Sequence, residues 1–282
     1  MADLLKQAIE QAIVLYDRKV GEGDITTENL FPYPKHTQVN VVCQKEATAV
    51  GNQIFKALVM HGDNTINFRS QIENGEIANP GDIIAQLEGN GRAILTVWQA
   101  AKPILSLLEN VRSTVEKTVI ELKPTKIDVT HSFGLPIGYE KLFAYAVEEA
   151  GGISLGTGLD DIVFITSEHI SWVGSIKKAV FNTLDEVGEL RKLIKVIVEI
   201  DTPDQVVSIK GMNVNYIFCT HFSVEQVHQV GEITEGWAKL IVDQSISVEE
   251  VKKLKDSGVR LYSLDLRKNL ITDNYFSLSF SK

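Results

Sequence analysis

The sequence is poor in cysteine and in positive charge, and each shortage excludes a class of protein. Cys43 and Cys219 are the only cysteines in 282 residues, and their separation indicates neither a disulfide framework nor a zinc site. Each lies in an apolar run, which is typical of a buried thiol. The formal net charge of -9 argues against a nucleic-acid-binding protein, because neutralising phosphates needs a basic face.

Long apolar runs are also missing. No uninterrupted run approaches the length of a membrane span, and the amphipathic start, MADLLKQAIEQAIVLY, has no small-residue cleavage site. The sequence therefore predicts a cytoplasmic protein without a membrane or nucleic-acid partner.

The hydrophobic pattern changes after Lys123. Before it, helical spacing over 4–17 and 51–62 alternates with short strands, and a long helix, interrupted or kinked near Pro103, is predicted over 91–122. After it, helices alternate with six short apolar strands: KIDVT, DIVFIT, KVIVEID, NYIFCT, AKLIVD and RLYSLDL. Such strands are typical of a parallel sheet covered on both faces, and no glycine-rich nucleotide loop is present.

These patterns predict an α/β protein with an N-terminal α+β sandwich domain followed by an open α/β barrel. We place the sandwich domain and the start of the connecting helix at residues 1–108. The barrel is expected over 109–270. Residues 271–282 are expected to return to the N-terminal domain as a strand, because DNYFSLSFSK alternates.

Chemistry in an α/β barrel takes place at the C-terminal ends of the strands. The candidates there for contact with a ligand are His131, Ser132, His169 and His221, and Arg92 in GNGRAIL is added as a possible anion contact. Three histidines around one rim can bind a metal or move protons. The alternative for each is a structural hydrogen bond, since the sequence does not show that they converge.

Two acids follow one another in VIVEID. Glu199 and Asp201 alternate on the predicted strand, so both carboxylates are expected on one face, where they could hold Mg²⁺. The alternative for Asp201 is an N-cap of the helix that begins at Pro203. Glu199 has no such role inside an apolar strand, where an acid needs a partner.

Several segments resemble the quinolinate phosphoribosyltransferases, the type II enzymes of NAD biosynthesis. DRKVGEGDITT (17–27) is similar to their N-terminal signature, and GNGRAIL, AYAVEEAGG, VIVEID and NYIFCTHFS follow in the family's order. Within the superfamily, VFITSEH and THFSVEQV look most like the ModD branch, which is associated with molybdate transport. The resemblance covers nearly the whole chain.

The resemblance implies a sandwich domain, an open barrel and a head-to-tail dimer in which each active site borrows residues from the partner's N-terminal domain. It also implies transfer of phosphoribose from PRPP to quinolinate with Mg²⁺, held beside Glu199 and, more weakly, Thr220. The family's cations are missing, however. Its Thr-Arg-Lys-Thr stretch is replaced by Thr130, His131, Ser132 and Phe133, and the lysine of its next strand is Thr166.

Three hypotheses follow. The first is a transferase whose remade pocket takes a neutral or cationic small molecule. The second is a pseudoenzyme, a binding or regulatory scaffold that forms a homodimer or pairs with an active paralogue. The third is residual activity with charge supplied by Lys123, Lys126 and Lys141. Convergence of His131, His169 and Glu199 on an open pocket would favour the first.

Overall fold

A computed structural model describes residues 2–188, 193–270 and 274–280. Its helices are α1 (Ala2–Val20), α2 (Ile25–Leu30), α3 (Asn52–Gly62), α4 (Gly91–Leu122), α5 (Glu140–Glu149), α6 (Ser167–Val173), α7 (Ile176–Val187), α8 (Pro203–Ser208), α9 (Val224–Thr234) and α10 (Val248–Val251). Its strands are β1 (His36–Cys43), β2 (Asn67–Ser70), β3 (Ile83–Asn90), β4 (Asp128–His131), β5 (Val163–Ile165), β6 (Val196–Ile200), β7 (Tyr216–Cys219), β8 (Lys239–Val242), β9 (Val259–Leu264) and β10 (Phe276–Phe280). These elements divide into two units.

The first unit is built from described residues of 1–114, 136–150 and 267–282. Its antiparallel sheet has the strand order β10-β1-β3-β2. The segment at the C-terminal end is described only over 274–280, where β10 pairs with β1 from Val39↔Phe280 to Cys43↔Phe276. The other predicted residues of that segment, 271–273 and 281–282, lie outside the described residues.

Helix α4 continues through Pro103 without interruption. Proline removes one backbone hydrogen bond from a helix. The buried face of α4, which includes Val97, Ala101, Leu105 and Leu108, compensates for that loss by packing. Of the predicted interruption or kink near Pro103, the interruption is not found, because α4 is one continuous helix.

The second unit, 115–135 and 151–266, is the predicted barrel. Its six strands are all parallel, in the order β4-β9-β8-β7-β6-β5, and β4 and β5 form the two open edges. One face of this sheet packs into an apolar cluster made of Ile162, Ile197, Phe218, Ile241 and Leu261, with Phe133, Leu155, Phe164 and Tyr216 packed against it. Strands and loops supply this cluster and helices do not, so it is the barrel interior.

The described helices include none that is both long and apolar enough to cross a membrane.

Candidate functional site

The hydroxyl side chains of β4 and β9 face the barrel interior. Leu261 on β9 belongs to the interior cluster, and Ser263, two residues later, lies on the same face. Thr130 pairs with Ser263 in the parallel register, so its side chain points the same way. The backbone N–H of Ser132 donates to the Leu264 carbonyl at 2.8 Å, which extends this pairing past the end of β4. One wall of the interior is therefore hydroxylic.

His131 lies on the opposite face of β4, because neighbouring residues of a strand point to opposite sides. Its side chain is only 1% exposed. Nδ1 is 2.9 Å from the Ser132 carbonyl and Nε2 is 2.8 Å from the Ser154 hydroxyl. A carbonyl only accepts, so Nδ1 carries the proton and Nε2 accepts from Ser154. Burial lowers the pKa of His131, which keeps the ring neutral.

His169 belongs to the start of α6. Its Nδ1 accepts hydrogen bonds from the backbone N–H of Thr166 at 3.1 Å and from the Thr166 hydroxyl at 2.8 Å. This reciprocal contact is a capping box, with a histidine in the position that Glu or Gln usually takes. The exposed ring also lines a 490 Å³ pocket with Phe164 and Trp172. Trp172 is 93% exposed.

Glu199 and Thr220, the residues paired by resemblance, are in contact. The half-buried Glu199 carboxylate accepts from the Thr220 hydroxyl at 3.0 Å and from the Ser167 backbone N–H at 2.9 Å. Both oxygens of the acid thus have a partner, which explains how it is tolerated at the end of an apolar strand. The contact links the ends of β5, β6 and β7.

Asp201 has neither of its predicted roles. Strand β6 ends at Ile200, so the alternation that would align Asp201 with Glu199 stops before it, and Asp201 is exposed. The N-cap of α8 is Thr202. The Gln205 side chain completes this helix start, accepting from the backbone N–H of Asp201 at 2.7 Å and of Thr202 at 3.2 Å.

His221 is the one candidate histidine that reaches solvent at a strand end without serving as a cap. It follows β7 in the left-handed conformation, with φ of 60°, and its side chain is 82% exposed. Its Nδ1 lies 3.7 Å from Oδ2 of Asp243. Left-handed backbone costs a non-glycine residue about 1–2 kcal/mol. Such strain is concentrated at functional sites, so His221 stays a candidate for ligand contact.

Arg92 belongs to the first unit. It lies in the first turn of α4, where its backbone N–H donates to Oδ1 of Asn90 at 3.1 Å. Nothing in this arrangement assigns its guanidinium a ligand.

The residues at the barrel mouth fit a preformed magnesium site poorly. Mg²⁺ needs near-octahedral oxygen ligands, usually one or two carboxylates together with substrate oxygens. Beside Glu199 lies the hydroxyl of Thr220 rather than a second carboxylate, and Asp243 accepts from the backbone N–H groups of His221 and Ser245. Across the described ranges no three His, Cys, Asp or Glu side chains are grouped so that they could hold a metal.

Three phenylalanines pack together at the barrel interior, and sequence reasoning did not single them out as a group. Phe133 comes from the loop after β4, Phe164 from β5 and Phe218 from β7. The ring centroids of Phe133 and Phe164 are 4.4 Å apart, and each lies 5.9 Å from that of Phe218. An available signal was the position of Phe164 and Phe218, each two residues before a hydroxyl at its strand end. We refer to these three residues as the phenylalanine cluster.

Positive charge is sparse directly after the strands of the barrel, where Arg267, three positions after β9, is the first described cation to follow a strand end. The two positions that follow each of the six strands hold no Lys or Arg, but they include Asp201, Asp243 and Asp265. Lys123 and Lys126 precede β4 and so belong to the other end of a parallel sheet, while Lys141 lies on α5 of the first unit. None of these three lysines directly follows a strand of the barrel.

Two family descriptions match the chain in order. Residues 24–109 match "Quinolinate phosphoribosyl transferase, N-terminal domain", and residues 135–269 match the C-terminal domain of the same family. The "Probable nicotinate-nucleotide pyrophosphorylase" of Bacillus subtilis is 23% identical over 87% of this chain and 83% of its own length. ModD of Escherichia coli O157:H7 is 21% identical over 92% of this chain and 91% of its own.

Solved structures agree on the fold. NadC from Streptococcus pyogenes superposes with a TM-score of 0.83 at 20% identity, covering 98% of both chains. The nicotinate-nucleotide pyrophosphorylase of Ehrlichia chaffeensis gives 0.84 at 20% identity, with the same coverage. The two domain matches, in the order of the two units, show that the chain belongs to the quinolinate phosphoribosyl transferase family, with relatives that include ModD.

Proposed function

We propose that this chain is a ligand-binding member of its family that does not transfer phosphoribose to quinolinate. The observation that carries the proposal is the charge at the strand ends, where acids are present and lysine and arginine are missing. This is the pseudoenzyme hypothesis, with the barrel mouth kept as a binding site for an uncharged molecule.

Electrostatics supports this proposal. Quinolinate is a dianion and PRPP carries phosphate and pyrophosphate, and such groups are held by charge-assisted hydrogen bonds from Arg or Lys. At this barrel mouth an anion would lie near the carboxylates of Glu199 and Asp243 instead of near arginine or lysine. Two like charges 4 Å apart repel by about 4 kcal/mol at an effective dielectric constant of 20.

The placement of the histidines argues against the first hypothesis, a transferase with a remade pocket. His131 and His169 do not converge with Glu199 on one open pocket, because His131 is buried behind β4 and His169 caps α6. A buried, neutral His131 that is hydrogen-bonded at both nitrogens has no position free for a substrate.

One observation favours a second candidate, a transferase that acts on a neutral acceptor. His221 is exposed beside Asp243 at the end of β7, and an imidazole near a carboxylate can act as a general base. In that case Mg²⁺ would have to arrive together with PRPP, whose oxygens would complete the ligand set.

Calorimetric titration of PRPP, with and without Mg²⁺, tests the proposal together with an assay for release of CO₂ from quinolinate. We expect neither PRPP binding nor turnover. Magnesium-dependent PRPP binding without quinolinate turnover would move support to the second candidate. Turnover of quinolinate would overturn both.

A matched pair of variants tests the electrostatic reason. Glu199→Gln keeps the hydrogen bond from Thr220 and removes the charge, so any weak affinity for PRPP should rise about tenfold, since a tenfold change corresponds to about 1.4 kcal/mol. Glu232→Gln, at an exposed position near the C-terminal end of α9, removes the same charge toward the opposite end of the barrel and should leave the affinity unchanged. Equal effects of the two variants would mean that the net charge of the whole protein, rather than the Glu199 charge at the barrel mouth, limits PRPP binding.

A further inference from the structure

We propose that the barrel mouth binds a neutral, planar ring that carries an amide. This inference rests on the proposed function, because it uses the same end of the barrel, and it names the chemical class of the ligand.

The first observation is a set of buried hydroxyls without partners. Within the described structure, the side-chain oxygens of Thr130, Ser132 and Ser263 have no hydrogen-bond partner. Thr130 is 0% exposed and Ser263 is 2% exposed. The register places Thr130 beside Ser263, on strands about 4.8 Å apart. Three hydroxyls that share one interior wall need an acceptor or donor from outside the protein.

Some other buried threonines find partners within the chain, although the hydroxyls of Thr48 and Ser106 in the first unit also lack one in the described structure. The Thr125 hydroxyl donates to the Leu122 carbonyl at 2.6 Å, and the Thr234 hydroxyl donates to the Gly231 carbonyl at 2.9 Å. Each of those hydroxyls finds a carbonyl three residues earlier in a helical turn. Side chains of β4 and β9 stand roughly perpendicular to the sheet, away from the carbonyls of their own strand, so the wall hydroxyls cannot form this kind of local hydrogen bond.

The second observation is the phenylalanine cluster, which belongs to the same interior. Its ring edges and faces form an apolar surface that favours a planar ring. Phe133 is half-buried and is the member that comes from a loop rather than a strand. That loop contains Gly138 with φ of 88°, a conformation that glycine adopts without strain.

The carboxylates of Glu199 and Asp243 determine which polar group the ligand can carry. Glu199 accepts two hydrogen bonds, but a carboxylate has about four lone-pair positions, so it can accept another N–H. The hydroxyl wall can donate to a carbonyl oxygen. A primary amide or a lactam offers both groups without charge. A ring carboxylate lacks the N–H and is repelled by Glu199 and Asp243.

Benzamide and benzoate, which differ in little but the N–H donor and the charge, are the probes. Saturation-transfer NMR and calorimetry with the whole chain should show benzamide binding and at least tenfold weaker benzoate binding. The double variant Thr130→Val, Ser263→Ala should weaken benzamide at least tenfold. Its melting temperature should be equal or higher, because the change removes buried groups that lack partners.

Ser106→Ala is the matched control, since Ser106 on α4 in the first unit is also a buried hydroxyl without a partner in the described structure. It should leave benzamide affinity unchanged. Equal binding of both probes, no binding of benzamide, or full binding by the double variant would each overturn the inference. Quinolinate turnover would overturn the proposed function whatever benzamide does, so the two failures are distinguishable.

Discussion

At the scale of single residues, the histidine at the end of β4 shows that the face of a strand decides whether a side chain lines the interior or is buried behind the sheet. His131 was expected to contact a ligand, but its ring is held behind the strand by the Ser132 carbonyl and Ser154. Its neighbours Thr130 and Ser132 have the interior positions. The consequence for His131 is energetic rather than catalytic, because burial favours its neutral form.

His131 should make stability fall in mildly acidic solution. A histidine in the unfolded chain has a pKa of about 6.5, and burial lowers the pKa of His131 in the folded state. Between these values the unfolded state binds more protons, so the stabilisation is complete above about pH 6.5 and declines below it. We expect a loss of about 1 kcal/mol in the free energy of unfolding between pH 7 and 5.5, measured by urea denaturation.

His131→Asn keeps a donor for the Ser132 carbonyl but does not titrate, so it should remove this part of the pH dependence. His36→Asn is the control, since the His36 side chain is 66% exposed. An unchanged slope in the His131 variant would contradict the assignment of a buried neutral ring.

At the scale of secondary-structure elements, the starts of the barrel helices are fixed by side chains three residues into each helix. His169 at α6, Gln205 at α8 and Gln226 at α9 each accept from the N-cap backbone N–H. Unpaired N–H groups at a helix start need such acceptors. The residues that follow the barrel strands are therefore used largely for structure.

Gln205→Ala should lower the free energy of unfolding by about 1 kcal/mol, because its oxygen serves the backbone N–H groups of both Asp201 and Thr202. Asp201→Ala, which removes the residue first expected to cap α8, should change it by less than about 0.5 kcal/mol. Urea denaturation of the two variants side by side measures the difference. The reverse order would restore Asp201 as the cap.

The sequence predicted the helices and strands more accurately than it predicted the faces on which individual side chains lie. All six barrel strands are present, because short apolar runs between helical segments are a strong signal. The exact strand ends were beyond reach, and a shift of one residue reverses the face of a side chain. This is why the sequence did not predict the face of His131 on β4 or the end of β6 before Asp201. The contact between Glu199 and Thr220 was anticipated only by resemblance, since it joins two strands.

At the scale of the whole molecule, we propose a dimer, as the resemblance implies. The segment around α2 in the first unit exposes four large apolar side chains: Ile25, Leu30, Phe31 and Tyr33. Exposed apolar side chains grouped in this way are typical of surfaces that bind another protein.

Sedimentation velocity at micromolar concentration should show a dimer, and Leu30→Asp with Tyr33→Asp should shift it toward monomer. Ile77→Asp, at a separate exposed apolar position, should leave the dimer intact. A variant that stays dimeric would exclude this segment from the interface. A wild-type monomer would exclude the homodimer and leave pairing with a paralogue.

The pairing of β10 with β1 has a consequence for biosynthesis. Val39 reaches its partner Phe280 about 240 positions later in the chain. At roughly 5–20 residues per second, translation leaves this side of β1 unpaired for on the order of 10–50 seconds. An unpaired strand edge is open to pairing with other chains. We therefore expect that edge of β1 in the nascent protein to be prone to pairing with other chains until β10 has emerged from the ribosome.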